Sequence, residues 1–208
     1  MGFYGKWIYP HFQVLTGWII RNPELEAIFR GRAQRARGSV LEIGIGSGGM
    51  LALYDRSRVH EVYGLDPHPK MIKRSARAAQ SVDIGVKLLC APAERIPLDD
   101  DSVDTVLSTW TFCTIPDLPQ ALNEIRRVLR PGGELLFCEH GLHPDPTVAD
   151  RQRRGEARHK WIYQGCHLTR DIPSFIERAG FKITENHAGE LPLRWLFRHM
   201  WGWYGAAV

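Results

Sequence analysis

The amino-acid sequence predicts an α/β fold built on an open, mostly parallel sheet. Short apolar runs alternate along the chain with segments of helical spacing, and such alternation is typical of strand–helix–strand units with right-handed crossovers. At 208 residues and 44% hydrophobic, the chain can bury one good core. The strands are predicted at residues 40–43, 59–65, 86–90, 103–108, 135–138 and 181–184, with a last one between 195 and 204.

Length also sets the domain organisation. Two full domains would be cramped in 208 residues, so we predict a single domain over 1–208. Residues 1–37 are expected to form a helical extension or lid, with a helix over 24–37. Residues 38–140 form the ligand-binding core, in which residues 50–54 begin the first helix. Residues 141–208 form a second segment with the final strands, including a mobile basic stretch at 144–163 and a helix at 171–179.

Composition indicates a reducing compartment and a mildly basic surface. The four cysteines form no C-x-x-C pair, and the net charge is +4. No signal peptide is evident, and the longest apolar stretch, residues 14–20, is too short to span a bilayer. We therefore expect a cytoplasmic protein whose contact with a membrane is at most peripheral.

The segment before the core, residues 3–20, is rich in aromatic residues. Its apolar side chains recur at three- and four-residue steps, which predicts one amphipathic face interrupted at Pro10. The segment either packs on the core or covers an acceptor pocket. In the second case, Tyr4 and Trp7 are the candidate substrate-binding residues.

A glycine-rich turn follows the first predicted strand. Gly44, Gly46 and Gly48 let the backbone turn sharply and let a ligand approach closely, and helix N–H groups beyond such a turn favour anions or polar ligand edges. Gly44, Gly46 and Gly49 also satisfy G-x-G-x-x-G with Asp66 at the dinucleotide distance, so an NAD(P)-binding Rossmann oxidoreductase is an alternative. Glu42 opposes it, because a carboxylate there would face a pyrophosphate but would suit a ligand with an amino group and a sulfonium.

The motifs around this turn carry a family resemblance. The stretch E-I-G-I-G-S-G-G, starting at Glu42, resembles the first motif of class I S-adenosylmethionine-dependent methyltransferases of the type 11, or UbiE-like, group. The runs A-E-R-I-P-L-D-D-D-S-V-D-T-V-L-S and L-N-E-I-R-R-V-L-R-P-G-G resemble their middle motifs, so the resemblance covers about residues 39–140. It implies a Rossmann-like, seven-stranded sheet with helices on both faces and an antiparallel last strand. It also implies S-adenosyl-L-methionine as cofactor.

The candidate cofactor residues follow the carboxyl ends of the first four strands. Asp66 is placed to accept the ribose hydroxyls, although it could also cap the next helix. The resemblance implies that Ala93 and Glu94 contact the adenine and that the turn after the fourth strand contacts the cofactor. The full predicted set is Glu42, Gly44, Gly46, Ser47, Gly48, Asp66, Pro67, Met71, Ala93, Glu94, Thr109 and Trp110.

The acceptor side is predicted at the ends of the fourth and fifth strands. His140 is expected where the fifth strand opens into the cleft, and its pKa near neutrality would let it orient or deprotonate an acceptor, so it is the candidate catalytic residue. Cys113, His140 and His167 are candidate substrate-binding residues. Cys138 and His140 share a strand face, but no second ligand pair at zinc spacing follows, so we assign no metal site.

A narrower resemblance concerns the acceptor. The segments E-H-G near 140 and G-C-H-L-T-R near 166 resemble small bacterial methyltransferases related to the methyltransferase-like 7 proteins, whose mammalian members methylate alkyl thiols at lipid surfaces. The resemblance implies a small, largely apolar acceptor: a thiol, or a quinone, phenol or amine. No long hydrophobic anchor precedes the core, so any lipid contact is expected to be peripheral.

A nucleic-acid-binding module is the alternative from another class. It is motivated by arginines within 30–37 and 151–158, but no RNA- or DNA-binding motif accompanies them. A solvated face explains them, and no nucleic-acid partner is expected. The sequence leaves the acceptor atom and the oligomeric state open.

Overall fold

The protein is described by a computed structural model that covers residues 23–192 and 200–208. The predictions for Tyr4 and Trp7 lie outside the described residues, as does the part of the predicted last strand at 195–199.

The described residues form one seven-stranded sheet of order β3-β2-β1-β4-β5-β7-β6. The neighbours from β3 to β5 are parallel, while β7 runs antiparallel to both β5 and β6. This confirms the predicted α/β fold with its antiparallel last strand. The strands are β1 Gly38–Ile43, β2 Val59–Leu65, β3 Gly85–Leu89, β4 Val103–Thr109, β5 Leu129–Gly141, β6 Ile183–Glu190 and β7 Trp201–Ala207.

Proline and aspartate define where most of the helices begin. All five described α-helices have Pro in the first turn, where its missing N–H costs nothing. Asp117, Asp145 and Asp171 cap three of them by accepting backbone N–H bonds. The helices are α1 Pro23–Arg35, α2 Pro69–Ala79, α3 Leu118–Val128, α4 Pro146–Ile162 and α5 Ile172–Arg178.

Both faces of the sheet are buried. Leu41 and Ile43 belong to one hydrophobic cluster with Phe137, whereas Val40 belongs to a second cluster with Leu136. Alternate residues of β1 and of β5 therefore face opposite cores, as expected for strands that are covered on both sides.

Several predicted boundaries are wrong. After the glycine turn, the chain forms only a short 3₁₀ helix, Leu51–Leu53, because the turn itself continues to residue 50. The basic stretch at 144–163 is α4, which Asp145 and Pro146 start. Strand β5 starts at Leu129, before Gly132 and Gly133, and the ladder with β4 is irregular there.

The final strands are also displaced from their predicted positions. Strand β6 extends to Glu190, and β7, Trp201–Ala207, continues three residues beyond the predicted end at 204. Strand β7 is rich in glycine and alanine, and these small residues fit where it lies between β5 and β6. Aromatic content was therefore a poor guide to its limits.

The basic run in α1 is largely engaged by carboxylates of the sheet. Arg35 forms ion pairs with Glu134 of β5, at 2.7 Å, and with Glu185 of β6. Arg32 also pairs with Glu185, at 2.8 Å. These arginines fasten α1 to the sheet, which weakens the argument for nucleic-acid binding.

Strand order reverses direction between β1 and β4, which are neighbours although two strands separate them in sequence. In sheets of this kind, ligands bind beyond the carboxyl ends of the strands at this switch point. The predicted cofactor residues after β1, β2 and β4 lie at this edge. None of the helices within residues 23–192 and 200–208 has the length and hydropathy that a membrane span requires.

Replacing Gly205 tests the packing of β7 in the interior of the sheet. A Cβ at this position would overlap the carbonyl oxygen of Glu185 on the neighbouring strand. We expect Gly205→Ala to lower the free energy of unfolding by about 1–3 kcal/mol, the usual cost of overpacking. Gly189→Ala in β6 is the matched control, because a Cβ there meets nothing within 4 Å. Equal denaturation midpoints for the two variants would contradict this packing.

Candidate active site

The glycine turn after β1 packs against Thr111 at Gly44 and has free space beside Gly46. Gly44, Gly46 and Gly48 have φ angles of 70°, 55° and 82°, a region that residues with a Cβ rarely adopt. A Cβ on Gly44 would overlap the side chain of Thr111, whereas one on Gly46 would find its nearest neighbour 3.8 Å away. Space for a ligand therefore lies over Gly46.

Asp66 ties this turn to the start of α2. One carboxylate oxygen accepts the N–H of Gly46 at 3.1 Å, and the other accepts the N–H of His68 at 2.8 Å. The side chain is buried, which raises its pKa. Asp66 closes the turn before α2 but does not cap this helix, whose N-cap residue is His68 and which has no side-chain cap. Each oxygen keeps a further lone pair for a ligand hydroxyl, so ribose binding remains a prediction.

Glu42 lies near the carboxyl end of β1 with its carboxylate enclosed. It is 2% exposed and accepts a hydrogen bond from the hydroxyl of Tyr54 at 2.9 Å. Burial raises the pKa of Glu42 to about 8, because no cation among residues 23–192 and 200–208 compensates for the lost hydration. A cationic ligand group nearby would favour the ionised form.

The segment after β3, which contains Ala93 and Glu94, is fixed from α3. Glu124 accepts the N–H of Ile96 at 2.9 Å, and Arg127 donates to the carbonyl of Ile96 at 2.9 Å. Ala93 is buried, and a carboxylate oxygen of Glu94 accepts the N–H of Asp117 at 3.2 Å. The supporting residues Glu124 and Arg127 are not among the predicted site residues, although their spacing of three within a helix predicts an ion pair.

The turn after β4 is organised by Glu139, which the sequence analysis also missed. Its buried carboxylate accepts the hydroxyl of Ser108 at 2.7 Å and the N–H of Thr111 at 3.0 Å, and burial raises its pKa. Between them, Trp110 has a φ of 52°, a strained conformation for a tryptophan. The sequence does give one indication of its importance, because Glu139 is a carboxylate inside the apolar run L-L-F-C-E-H.

Three residues from distant parts of the chain meet at the carboxyl end of β5. We call Cys113, His140 and Cys166 the Cys–His cluster. The Sγ of Cys166 lies 3.3 Å from Nε2 of His140, and the three side-chain atoms lie within 4.8 Å of one another. The residues are 2%, 4% and 7% exposed. A hydrogen bond with Cys166, together with burial, raises the pKa of Cys113, so its thiol is protonated.

The cluster adjoins the glycine turn through the loop after β4. The hydroxyl of Thr111 donates to the carbonyl of Ile43 at 3.1 Å, and Cys113 follows two residues later. The ring of Trp110 packs edge-on against His140, with centroids 5.8 Å apart. The sequence prediction brought Cys113 and His140 to one place but passed over Cys166.

His167, another predicted substrate residue, pairs with Glu156 and is not part of the cluster. Its Nδ1 lies 2.9 Å from a carboxylate oxygen of Glu156 in α4, and its backbone N–H donates to the carbonyl of Cys113 at 2.8 Å. Burial lowers the pKa of this imidazole. His167 therefore positions the loop that carries Cys113.

The remaining predicted cofactor residues differ in exposure. Met71 is buried at the start of α2, and Ser47 and Pro67 are exposed beside the turn. Thr109 ends β4 and is partly buried. All of them lie at the carboxyl edge of the sheet.

Comparison with known proteins identifies the class. Residues 41–137 match the family model described as a methyltransferase domain. The fold superposes on a S-adenosylmethionine-dependent methyltransferase from Methanosarcina mazei with a TM-score of 0.67 and 18% identity, covering 90% of this chain and 97% of that one. A methyltransferase from Mesorhizobium loti gives a TM-score of 0.66 at 21% identity, covering 88% and 96%.

Two human proteins have a higher sequence identity to this chain than these two solved structures do. One is 31% identical over 172 residues, covering 79% of this chain and 69% of the relative. Another is 34% identical over 163 residues, covering 76% and 66%. The chain therefore belongs to the class I S-adenosylmethionine-dependent methyltransferases, and S-adenosylmethionine is its cofactor.

The relative that is 31% identical is named thiol S-methyltransferase TMT1A, and the one that is 34% identical is named thiol S-methyltransferase TMT1B. This chain spans about two thirds of the length of each. The family assignment decides against the NAD(P)-binding oxidoreductase that the glycine spacing left open.

Replacing Asp66 tests the predicted ribose contact. Asp66→Asn removes the charge and half of the accepting capacity, and we expect cofactor affinity to fall by roughly 1.5–3 kcal/mol, the worth of hydrogen bonds to a charged group. Calorimetric titration with S-adenosylhomocysteine measures this. The control is Asp83→Asn, whose exposed carboxylate pairs with Arg56 before β3. Unchanged affinity in a folded Asp66 variant would remove Asp66 from the site.

The raised pKa of Glu42 predicts a pH-dependent cofactor affinity. A cationic ligand binds better to the carboxylate than to the neutral acid, so affinity should rise with pH until Glu42 is ionised near 8. We expect a gain of about tenfold between roughly pH 6.5 and 8.5 by this linkage. Glu42→Gln, which cannot ionise, serves as the control and should flatten the profile. Parallel profiles for the two proteins would show that Glu42 does not face the cofactor's charge.

Proposed function

We propose that this protein transfers the methyl group of S-adenosylmethionine to the sulfur of a small, largely apolar thiol. The observation that carries the proposal is the placement of the Cys–His cluster beside the glycine turn. The names of the relatives TMT1A and TMT1B support a thiol as the acceptor.

The cofactor end of the site supports this proposal through its charges. Three carboxylates, those of Glu42, Asp66 and Glu139, are buried at one edge of the sheet. Glu42 suits a cationic amino acid moiety, and Asp66 suits the ribose hydroxyls. Glu139 supports the backbone of the loop that separates cofactor from acceptor.

The acceptor end supports a nonpolar substrate. The loop after β4 carries Phe112 and Ile115, both buried, and Trp110 covers His140. Arg170 is 8% exposed, and it donates hydrogen bonds to the carbonyls of Phe112 and Pro116. The guanidinium of Arg170 is thus hydrogen-bonded to the protein backbone. The groups that remain to contact the acceptor are apolar side chains and the Cys–His cluster.

Catalysis would then depend on alignment and on the exclusion of water. The methyl group is already activated by the sulfonium, so the protein's task is to hold the acceptor sulfur in line with it. A thiol is a few per cent ionised at neutral pH, and deprotonation strengthens it as a nucleophile. We assign His140 to the acceptor side of this reaction.

An acceptor screen tests the proposed function. Purified protein is incubated with methyl-labelled S-adenosylmethionine and one of three acceptors of similar size: an alkyl thiol, a phenol or an alkyl amine. Labelled thioether formed in preference to ether or methylamine would support the proposal. Methylation of the phenol or the amine in preference to the thiol would contradict it.

The role of His140 is tested by separating cofactor binding from turnover. His140→Ala should lower kcat with the thiol by about 10²-fold or more, typical of losing a group that acts on the reacting atoms, while the Kd for S-adenosylhomocysteine stays the same. Cys138→Ala is the matched control, since Cys138 is buried on the same strand and lies outside the cluster. Full turnover in the His140 variant would make this residue structural only.

A further inference from the structure

The Cys–His cluster has the composition of a metal site. Two thiols and an imidazole are the ligands that Zn²⁺ prefers, and catalytic zinc sites use three protein ligands with the fourth position left open. The ligands come from the loop after β4, the end of β5 and the segment after α4. Their sequence separation explains why the spacing along the chain gave no zinc signal.

We propose that Cys113, His140 and Cys166 bind a Zn²⁺ ion whose open fourth position receives the acceptor thiol. The proposal that an ion binds here depends only on the observed Cys–His cluster. The proposal that the acceptor thiol is its fourth ligand rests on the proposed function.

The geometry needs only small movements. Tetrahedral Zn²⁺ with Zn–S distances of about 2.3 Å places two sulfur ligands about 3.8 Å apart. In the structure, the three side-chain atoms lie within 4.8 Å of one another, and the Sγ of Cys166 already lies 3.3 Å from His140 Nε2. Shifts of about 1 Å or less, within reach of side-chain rotation, would close the site.

Two orphaned polar atoms lie in the same region. Among the described residues, the Nδ1 of His140 and the Nε2 of His159 are buried without a hydrogen-bond partner. Buried polar groups in native proteins are rarely left in this state, so such atoms mark a place where a ligand or water completes the structure. The Nδ1 of His140 is not the ring atom that faces Cys166, so its partner would lie on the other side of the ring from the proposed ion.

Charge balance also favours the ion. Zn²⁺ displaces the protons of both cysteine thiols, and two thiolates neutralise its two charges. The resulting site is neutral in a region that excludes water.

The ion changes the expected role of His140. An acceptor thiol that coordinated Zn²⁺ would lose its proton to solvent while it enters the site, before water is excluded, and would then be held as a thiolate. A sulfur electron pair of this thiolate forms the new S–CH₃ bond, the bond between the methyl group and the sulfonium breaks, and its electron pair stays on S-adenosylhomocysteine. The methyl thioether is a weaker ligand and leaves. His140 thus acts on the acceptor through the ion.

Metal binding is measured without any methylation assay. The full chain is stripped with a chelator under reducing conditions and titrated with Co²⁺, a spectroscopic substitute for Zn²⁺, and then with Zn²⁺ in competition. We expect one equivalent of Co²⁺ to give tetrahedral visible bands and a thiolate-to-cobalt charge-transfer band. Displacement by Zn²⁺ should abolish these bands.

Variants locate the site. Cys113→Ser and Cys166→Ser should weaken Zn²⁺ binding by more than about 100-fold, the upper end of the loss caused by removing an outer-shell partner of a metal ligand. Cys138→Ala and Cys90→Ser remove a buried and an exposed thiol outside the cluster and should bind normally. Circular dichroism confirms that each variant is folded.

The outcomes separate the two proposals. Failure of the folded wild-type protein to bind Co²⁺, or equal binding by the Cys113 and Cys138 variants, would overturn the metal site and leave the proposed thiol methylation to its own screen. If the metal binds, adding the alkyl thiol should shift the cobalt spectrum. An unchanged spectrum would overturn the fourth-ligand assignment while the metal site stands.

Discussion

Burial of the sheet on both faces is the constraint on which the rest of this structure depends. With hydrophobic clusters above and below β1 and β5, polar chemistry has no place along the middle of the strands. It is confined to the edge where the parallel strands end, and the order of the strands opens a crevice there between β1 and β4. The glycine turn, Asp66, the loop after β4 and the Cys–His cluster all lie along this edge.

The same constraint explains why buried carboxylates hold the site together. A carboxylate that loses its hydration is costly unless hydrogen bonds replace the water. Asp66 and Glu139 meet this condition with backbone N–H groups of the two loops that surround the crevice. These hydrogen bonds offset the free-energy cost of burying the two carboxylates, and they also fix the shapes of the two loops. Burial still raises the pKa of all three carboxyl groups, and it raises that of Glu42, which accepts a hydrogen bond from the Tyr54 hydroxyl alone among the described residues, to about 8.

Sequence reasoning recovered what depends on local pattern. Runs of apolar residues placed β2 at Val59–Leu65 and β4 within one residue, and the glycines located the turn. It failed where tertiary context decides. The short β7 is defined by two neighbouring strands and not by its own composition, and α4 is polar enough to resemble a loop until its Asp145 cap is considered. Cys166 and Glu139 gain their significance from contacts with residues 26 and 28 or more positions away.

The position of β7 has a consequence for folding during synthesis. Strand β6 precedes β7 in sequence, yet β7 lies between β5 and β6 and hydrogen-bonds to both. During synthesis, the outer side of β5 therefore stays unpaired while β6 emerges from the ribosome, and the wrong strand is available first. An open, apolar strand edge invites pairing with other chains. Until residues 201–207 are available, this edge of β5 therefore stays open to pairing with other chains.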